Sequence, residues 1–223
     1  MLAVARQIPA EARAIAEGRW QTTLGVGLRG KTLGVIGLGN LGGQVAAIGR
    51  AFGMEVLAWS QNLTPERAAE IGGTLVTKHE LLARSDFLTI HLILSDRTRG
   101  LIGAAELALM KPSAYLVNTS RGPIVDEAAL TAALAAGRLA GAGVDVFEVE
   151  SLPADHPFRG LKNLVMTPHL GYVTRETYEV FYNDALEDAR AWNAGAPIRV
   201  IPPPPGAQRV LPEGGSAAQR RRN

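Results

Sequence analysis

Three short segments of the sequence contain residue types that can bind an anion and transfer a proton. They are Asn118–Gly122, Asp145–Glu150 and Thr167–Gly171. The Arg121 guanidinium can pair bidentately with a carboxylate. Glu150 can bind one ring nitrogen of His169 while the other faces a substrate oxygen, and a neighbouring carboxylate favours the protonated imidazole that a proton donor needs. The segments therefore predict an anion site beside an acid/base pair.

Each of these residues also has a purely structural interpretation. A single Arg after a strand is often a surface residue, an isolated His often bonds a carbonyl, and Glu150 could be one more exposed acid.

Ser120 lacks the flanking glycines of a hydrolase nucleophile, which disfavours acyl transfer. His91 lies within an apolar run and is predicted to be a core residue. No histidines occur at helical metal-ligand spacing and there is no cysteine, so no metal is predicted.

A glycine motif lies further towards the N-terminus. Gly37, Gly39 and Gly42 match G-x-G-x-x-G between an apolar strand and an amphipathic helix. In that context the first glycine allows a tight turn, the second lets the backbone approach a pyrophosphate, and the third lets helix and strand pack closely. The helix N-terminus offers free N–H groups to phosphates. A second match at residues 25–30 has no preceding strand and is interpreted as a connection.

The sequence leaves open which dinucleotide would bind. An NAD site carries Asp or Glu at the end of the second strand, where it bonds the ribose 2′-hydroxyl. Here that position is Ser60, followed by Gln61 and Asn62. These neutral residues do not repel a 2′-phosphate, yet no Arg sits beside them to bind one. NAD and NADP both remain candidate cofactors.

Apolar segments of strand length alternate with helical segments along the chain. The predicted strands are Thr32–Gly37, Glu55–Ser60, Thr74–Val76, Asp86–Leu92, Ala114–Thr119, Ala140–Val146 and Asn163–Thr167. Helices are predicted at Ala10–Arg19, after the glycine motif, from Thr64 as N-cap, and at Lys78–Arg84, Ala104–Leu109, Asp126–Ala136 and Arg175–Asn193. Apolar strands separated by helices predict an α/β fold, a doubly wound parallel sheet of the Rossmann-like kind. The three polar segments follow strands at the edge where such a sheet binds ligands.

This pattern divides the chain into four parts. Residues 1–29 form an N-terminal helix and connection, 30–173 the dinucleotide-binding domain, and 174–200 the closing helix and end of the domain. Residues 201–223 carry four consecutive prolines followed by Gly, Ser, Gln and Arg, a composition that predicts a disordered C-terminal tail.

Composition narrows the class of protein. The 223 residues are 47% apolar and 20% charged, which suits one globular domain with appendages. The net charge of +2 (23 basic minus 21 acidic residues) predicts neither a nucleic-acid nor a membrane partner. No apolar run is long enough for a membrane span or a signal-peptide core, and cysteine is absent. A cytoplasmic location is therefore expected.

Four ordered motifs between about Ala10 and Val200 resemble those of the D-isomer-specific 2-hydroxyacid dehydrogenases. The motifs are Gly37–Gly42, Asn118–Gly122, Gly143–Phe147 with Glu150, and Thr167–Gly171. The resemblance implies that Arg121 binds the carboxylate and carbonyl of a 2-oxoacid, that His169 donates the proton, and that Glu150 orients His169.

The resemblance also implies a nicotinamide cofactor and a small-molecule 2-oxoacid or 2-hydroxyacid substrate, with hydride transfer between nicotinamide C4 and substrate C2. Asp145 is implied to contact the nicotinamide carboxamide. The positions implied to line the cofactor are Gly37, Gly39, Asn40, Leu41, Gly42, Ser60, Thr119, Ser120, Asp145 and Gly171. The Ala10–Arg19 helix resembles the segment through which family members dimerise, so a homodimer is possible.

The chain departs from the family in two ways. Family members begin with a substrate-binding domain that precedes the glycine motif, and Ser151 stands where they usually have Pro. Without that domain we expect low or no turnover and an uncovered apolar patch on the closing helix. Three functions therefore stay open: an active dehydrogenase, a dinucleotide-binding module without turnover that is a fragment or is completed by a partner, and a corepressor-like protein that senses the dinucleotide.

Overall fold

A computed structural model of the protein describes residues 1–202. Its strands are β1 Thr32–Ile36, β2 Glu55–Trp59, β3 Thr74–Leu75, β4 Phe87–Ile90, β5 Tyr115–Asn118, β6 Gly141–Val144 and β7 Leu164–Met166. Its α-helices are α1 Leu2–Ala5, α2 Ile8–Ala16, α3 Asn40–Ala51, α4 Pro65–Glu70, α5 Lys78–Arg84, α6 Ala104–Leu109, α7 Glu127–Ala135 and α8 Arg175–Asn193. Short 3₁₀ turns lie at Gly122–Ile124, Pro157–Gly160 and Leu170–Tyr172.

The seven strands form one parallel sheet in the order β3-β2-β1-β4-β5-β6-β7. The chain first adds strands outward on one side of β1, then crosses over to β4 and adds strands on the other side. This reversal beside β1 is the switch point of a doubly wound fold, where ligands bind outside the carboxyl ends of the strands. The predicted fold class is confirmed.

Both faces of the sheet are buried, and alternate strand residues supply a separate apolar core on each face. Leu33 and Val35 of β1 belong to one core and Ile36 to the other. In β5, Tyr115 and Val117 share the first core while Leu116 lies in the second. Strands covered on both sides are apolar throughout, which is why their sequence shows a continuous run without alternation.

The bounds of several elements differ from the predictions, and the helix predicted at Ala10–Arg19 lies at Ile8–Ala16. All seven strands end one or two residues earlier than predicted, and β4 to β7 also begin one residue later, because the flanking residues belong to loops. His91 is therefore not within a strand: it follows β4, is half-buried, and places Nε2 3.0 Å from Thr89 Oγ1. The first residues were not predicted as helix, yet Val4 and Ala5 of α1 are buried against the core that contains Leu33 and Val35.

Several helices begin at a side-chain cap. Thr64 accepts a hydrogen bond from the Arg67 N–H at the start of α4, as predicted, and Asp126 accepts one from Ala129 at the start of α7. These caps bind N–H groups that the first helical turn leaves without an intrahelical partner.

The described residues from Val173 onward form a second compact unit. It contains α8, which Thr174 caps by accepting from the Thr177 N–H. Arg199 binds three carboxylates on α8, those of Asp184, Glu187 and Asp188. Apolar side chains that are exposed on α8 include Tyr178, Phe181, Tyr182, Leu186 and Trp192.

None of the helices in residues 1–202 has the length and apolar character needed to cross a membrane. The prediction of a disordered tail falls almost wholly on residues 203–223, which lie outside the described residues.

Candidate active site

The residues singled out in the sequence lie at the carboxyl edge of the sheet. Gly37 follows β1, Ser60 follows β2, and Thr119 follows β5. Asp145 follows β6, and Thr167 follows β7 at the start of the loop that carries His169. Because all strands are parallel, these loops share one edge even though they come from distant parts of the chain.

The glycine motif has the geometry that its spacing predicted. Gly37 has φ +91°, a conformation that side-chain-bearing residues rarely adopt. A Cβ on Gly42 would lie 1.9 Å from the Gly37 carbonyl oxygen, so only glycine allows α3 to pack this closely against the turn. A Cβ on Gly39, in contrast, would meet no protein atom within 4 Å. Open space therefore lies in front of the N-terminus of α3.

The first turn of α3 has donors available for a ligand. Gly39 is its N-cap and supplies no side-chain hydrogen bond. Within residues 1–202, the N–H groups of Asn40, Leu41 and Gly42 have no backbone or side-chain acceptor. Three free N–H groups at the positive end of a helix dipole, facing open space at Gly39, fit a pyrophosphate. Asn40 and Leu41 are both exposed there.

The loop after β5 is held rigidly around Arg121. The buried Asn118 side chain donates from Nδ2 to the Arg121 carbonyl at 2.9 Å and accepts the Ser120 N–H at 3.1 Å. The Ser120 hydroxyl donates to the Leu92 carbonyl, which ties this loop to the one after β4. Thr119 is exposed on the same loop.

Gly122 explains how close the Arg121 loop comes to the loop after β6. A Cβ at Gly122 would lie 2.0 Å from the Phe147 carbonyl carbon. The Arg121 guanidinium donates to the Ser120 carbonyl at 2.7 Å and forms no ion pair with a carboxylate of the described residues. Its charge is therefore available to an anionic ligand.

Asp145 is buried and positions the loop after β7. Its Oδ1 accepts the Thr167 hydroxyl and, at 2.8 Å, the Leu170 N–H, while Oδ2 accepts the Gly171 N–H at 2.9 Å. A carboxylate has about four acceptor positions, so about one is left for a ligand. His169, between these anchored residues, has φ +55° in the left-handed region. The bonds to Asp145 stabilise this unfavourable backbone conformation.

His169 and Glu150 form a hydrogen-bonded pair. His169 Nδ1 lies 2.7 Å from Glu150 Oε2, and the Phe147 N–H donates to Glu150 Oε1 at 3.0 Å. The His169 ring also packs edge-on against Tyr172, with ring centroids 5.5 Å apart. Within residues 1–202, Nε2 of His169 has no hydrogen-bond partner. The imidazole is therefore fixed at one nitrogen and open at the other.

The electrostatics of the pair favour an ionised carboxylate. Burial raises the pKa of Glu150, but the hydrogen bonds from His169 and the Phe147 N–H lower it more, with smaller contributions from the charges of His169 and Arg121. The resulting pKa lies below the ordinary value for Glu. The charge of Arg121 acts on Glu150, so the structure brings all three predicted catalytic residues into one electrostatic neighbourhood.

Two cavities open at this edge of the sheet. One, of about 570 Å³, lies beside the His169 and Glu150 pair and has Phe147, Leu152 and Tyr172 in its wall. The other, of about 190 Å³, lies next to Ser60 at the end of β2. Its wall includes Arg97, from the loop after β4. Arg97 could not be assigned to this cavity from the sequence, because it lies far from Ser60 along the chain. Strand order brings the two loops together.

No group of three or more His, Asp or Glu side chains in the described part of the chain could hold a metal ion.

Comparison with known proteins identifies the class to which this fold and site belong. Residues 1–171 match the NAD binding domain of the D-isomer specific 2-hydroxyacid dehydrogenases. The chain is a member of that family.

Individual relatives agree with this assignment. A glyoxylate reductase of Aeropyrum pernix is 46% identical over 186 residues, which cover 79% of this chain and 56% of the relative. A D-3-phosphoglycerate dehydrogenase of Archaeoglobus fulgidus is 44% identical over 201 residues, covering 89% of this chain and 38% of the relative. The solved structure of a phosphoglycerate oxidoreductase from Vibrio cholerae superposes with a TM-score of 0.83 at 37% identity, covering 87% of this chain and 64% of that one. The chain thus spans about half the length of the curated relatives or less.

Proposed function

We propose that this chain carries out NAD(P)-dependent hydride transfer between a 2-oxoacid and the corresponding 2-hydroxyacid. The observation that carries the proposal is the 2.7 Å contact between His169 Nδ1 and Glu150 Oε2 at the same sheet edge as the glycine motif. A protein that only binds the dinucleotide needs the glycine motif but no acid/base pair. An oriented acid/base pair with one free ring nitrogen is what carbonyl reduction requires in addition.

The proposed chemistry assigns one task to each side chain. When bound, the reduced nicotinamide supplies a hydride to C2 of the 2-oxoacid. The Arg121 guanidinium binds the substrate carboxylate and polarises the carbonyl. His169 donates its Nε2 proton to the carbonyl oxygen, which becomes the hydroxyl of the product, and regains a proton from solvent. Glu150 holds Nδ1 and stabilises the imidazolium before that transfer.

Asp145 serves this chemistry as a positioning residue. Its three hydrogen bonds anchor the loop on both sides of His169. Its remaining acceptor position is available to the nicotinamide carboxamide. The free N–H groups of Asn40 to Gly42 would bind the pyrophosphate, and Ser60 would lie near the adenosine ribose.

The test is a titration of the purified chain with NADH and NADPH, followed by glyoxylate. Trp59 lines the cavity beside Ser60, so its fluorescence reports binding directly. Oxidation of the cofactor on adding glyoxylate, monitored by nicotinamide absorbance, supports the dehydrogenase. Glyoxylate is chosen because a related protein is named glyoxylate reductase.

Arg121→Ala separates the substrate site from the cofactor site. This variant should bind the dinucleotide with unchanged affinity and lose most of the oxidation rate. Arg138→Ala is the matched control, because Arg138 is exposed between α7 and β6, away from the carboxyl edge. Binding of cofactor without any oxidation by the wild-type chain would contradict the enzyme and favour the binding module.

We also propose a homodimer formed through the N-terminal helices. Leu2, Ile8, Ile15 and Trp20 are apolar and between 47% and 74% exposed, and together they line one shallow surface groove. Two copies of such a patch can cover each other around a two-fold axis. Light scattering after size exclusion tests this: the wild type should have the mass of a dimer, and an Ile15→Ser, Trp20→Ser variant that of a monomer. A monomeric wild type contradicts the proposal.

A cytoplasmic location is proposed on composition. The chain has no cysteine and a net charge near zero, which suits a reducing compartment that supplies nicotinamide cofactors. Fractionation of cells expressing the tagged chain tests the proposal, and recovery in a membrane or extracellular fraction contradicts it.

A further inference from the structure

The 190 Å³ cavity beside Ser60 has two chemically different halves. Trp59, Leu92 and Leu101 supply an apolar wall packed against the core that contains Ile36 and Leu116. Ser60, Asn62 and Arg97 supply a polar rim. The cavity is too small for a whole dinucleotide and suits one end of it, with the apolar wall against a flat base and the rim against a ribose.

The rim carries a positive charge that forms no ion pair with the described protein. Within residues 1–202, the Arg97 guanidinium takes part in no hydrogen bond and no ion pair. The residues that line the cavity are Trp59, Ser60, Gln61, Asn62, Leu92, Arg97, Thr98 and Leu101, and none of them is acidic. A neutral ribose hydroxyl would leave that charge without a partner.

The loop that carries Arg97 is well defined. The Thr98 hydroxyl accepts the Ser95 N–H at 2.8 Å and donates to the Ile93 carbonyl at 2.8 Å. At its far end the Gly100 N–H donates to the Pro123 carbonyl at 2.8 Å. These bonds keep the backbone at Arg97 beside the rim, so less conformational entropy is lost when the guanidinium binds a ligand.

We infer that the chain selects NADPH over NADH, with Arg97 binding the 2′-phosphate and Ser60 and Asn62 donating to its oxygens. The inference rests on the proposed function, since it concerns the adenosine end of the same cofactor. A carboxylate at the end of β2 would select NAD by bonding the 2′-hydroxyl and repelling a phosphate. Here the carboxylate is replaced by Ser60 and an unpaired arginine faces the same space, so both determinants favour the phosphate.

Calorimetric dissociation constants for NADPH and NADH test the inference without requiring turnover. The wild-type chain should bind NADPH about tenfold or more tightly than NADH, the effect of one charge-assisted arginine contact. Arg97→Ala should lose most of this preference and bind NADH within about twofold of wild type. Arg99→Ala is the matched control, an exposed arginine on the same loop that does not line the cavity, and should keep the preference.

The Ser60→Asp variant tests the same site through an expected gain of affinity for NADH. The new carboxylate should weaken NADPH binding and strengthen NADH binding, which loss of folding cannot imitate. Equal affinities, tighter NADH binding by the wild type, or an unchanged preference in Arg97→Ala would overturn the inference while leaving the proposed function intact. Failure of both dinucleotides to bind would overturn the proposed function and the inference with it.

Discussion

The two edges of the sheet use similar residues in opposite ways. At the amino edge, Asp86 accepts the Thr32 N–H at 2.8 Å and the Lys111 ammonium at 2.9 Å. Arg84 lies between two carboxylates, 2.8 Å from Glu55 and 2.7 Å from Glu80. These charges bind one another.

At the carboxyl edge, several charges and donors of the candidate site are left open. Among the described residues, Arg97 has no hydrogen-bond or ion-pair partner, the Arg121 guanidinium hydrogen-bonds a backbone carbonyl, and His169 is bound at one of its two ring nitrogens. Paired polar groups stabilise the fold, whereas unpaired ones are available to ligands. For these residues the state of pairing, more than residue type, separates a supporting role from a functional one.

Asp145 connects the two roles. It lies at the carboxyl edge, yet it is buried and binds three donors like a residue of the amino edge. It therefore supports the fold of the loop whose left-handed backbone presents His169. Substitutions at the carboxyl edge should lower activity, and substitutions at the amino edge should lower stability. Substitution of Asp145 should lower both.

The largest effect is expected for His169→Ala. Loss of a positioned general acid should lower the rate of 2-oxoacid reduction about 10²- to 10⁴-fold. The melting temperature should change little, because His169 is half-exposed and its bond to Glu150 is partly solvated. Steady-state rates and a thermal melt measure the two quantities, with His79→Ala, an exposed histidine on α5, as control. Wild-type activity in His169→Ala would contradict the view that the open groups at the carboxyl edge carry out the chemistry.

Asp145→Asn should reduce both stability and activity. The amide has one acceptor oxygen where the carboxylate has two, so an N–H of Leu170 or Gly171 faces an NH₂ group. One lost buried bond predicts a decrease of about 1–3 kcal/mol in the free energy of unfolding, measured in urea. Asp96→Asn, in an exposed loop, should be neutral. A variant that is inactive but as stable as wild type would mean that Asp145 acts on ligand alone.

Asp86→Asn should affect stability and its pH dependence without affecting cofactor affinity. Burial raises the pKa of Asp86, but the bonds from the Thr32 N–H and Lys111 lower it further, so that it lies below the ordinary value. A lowered folded pKa means that the carboxylate contributes stability above the unfolded pKa of about 4 and loses it as pH falls through the folded value.

The wild type should therefore unfold more readily below about pH 4, and Asp86→Asn should show a weaker acid dependence. At neutral pH the variant should be about 1–2 kcal/mol less stable. Urea denaturation at several pH values and a dinucleotide titration provide the measurements. A change in affinity at neutral pH would contradict the separation of the edges.

More of the fold than of the candidate site could be predicted from the sequence. Seven apolar runs separated by helices gave all seven strands, because burial on both faces makes each strand apolar throughout. The strand ends were less accurate: Leu92 and Val146 are apolar like strand residues but belong to loops. Helix α1 has only four residues, too few for a helical period to appear.

Candidate site residues were found from their types, but most of their partners were not. Glu150 and His169 could be paired in advance, since motif order places both after neighbouring strands. The anchoring of the His169 loop by Asp145 depends on backbone N–H groups, which sequence does not reveal. Arg97 required knowledge of the strand order, because the loop after β4 reaches Ser60 across the end of β1.

The smallest effect is expected for Arg84→Ala at the amino edge. Its side chain is 44% exposed, and exposed ion pairs contribute about 0.2–1 kcal/mol each, less in high salt. Urea denaturation at low and high salt should therefore give a small difference from wild type that shrinks as salt screens Glu55 and Glu80. A loss above about 2 kcal/mol that persists in salt would mean that these charges act as one cooperative network. The Arg84 ion pairs would then contribute as much to the free energy of unfolding as the hydrogen bonds of Asp145. Charge pairing at the amino edge would therefore stabilise the fold as strongly as the anchoring of the His169 loop.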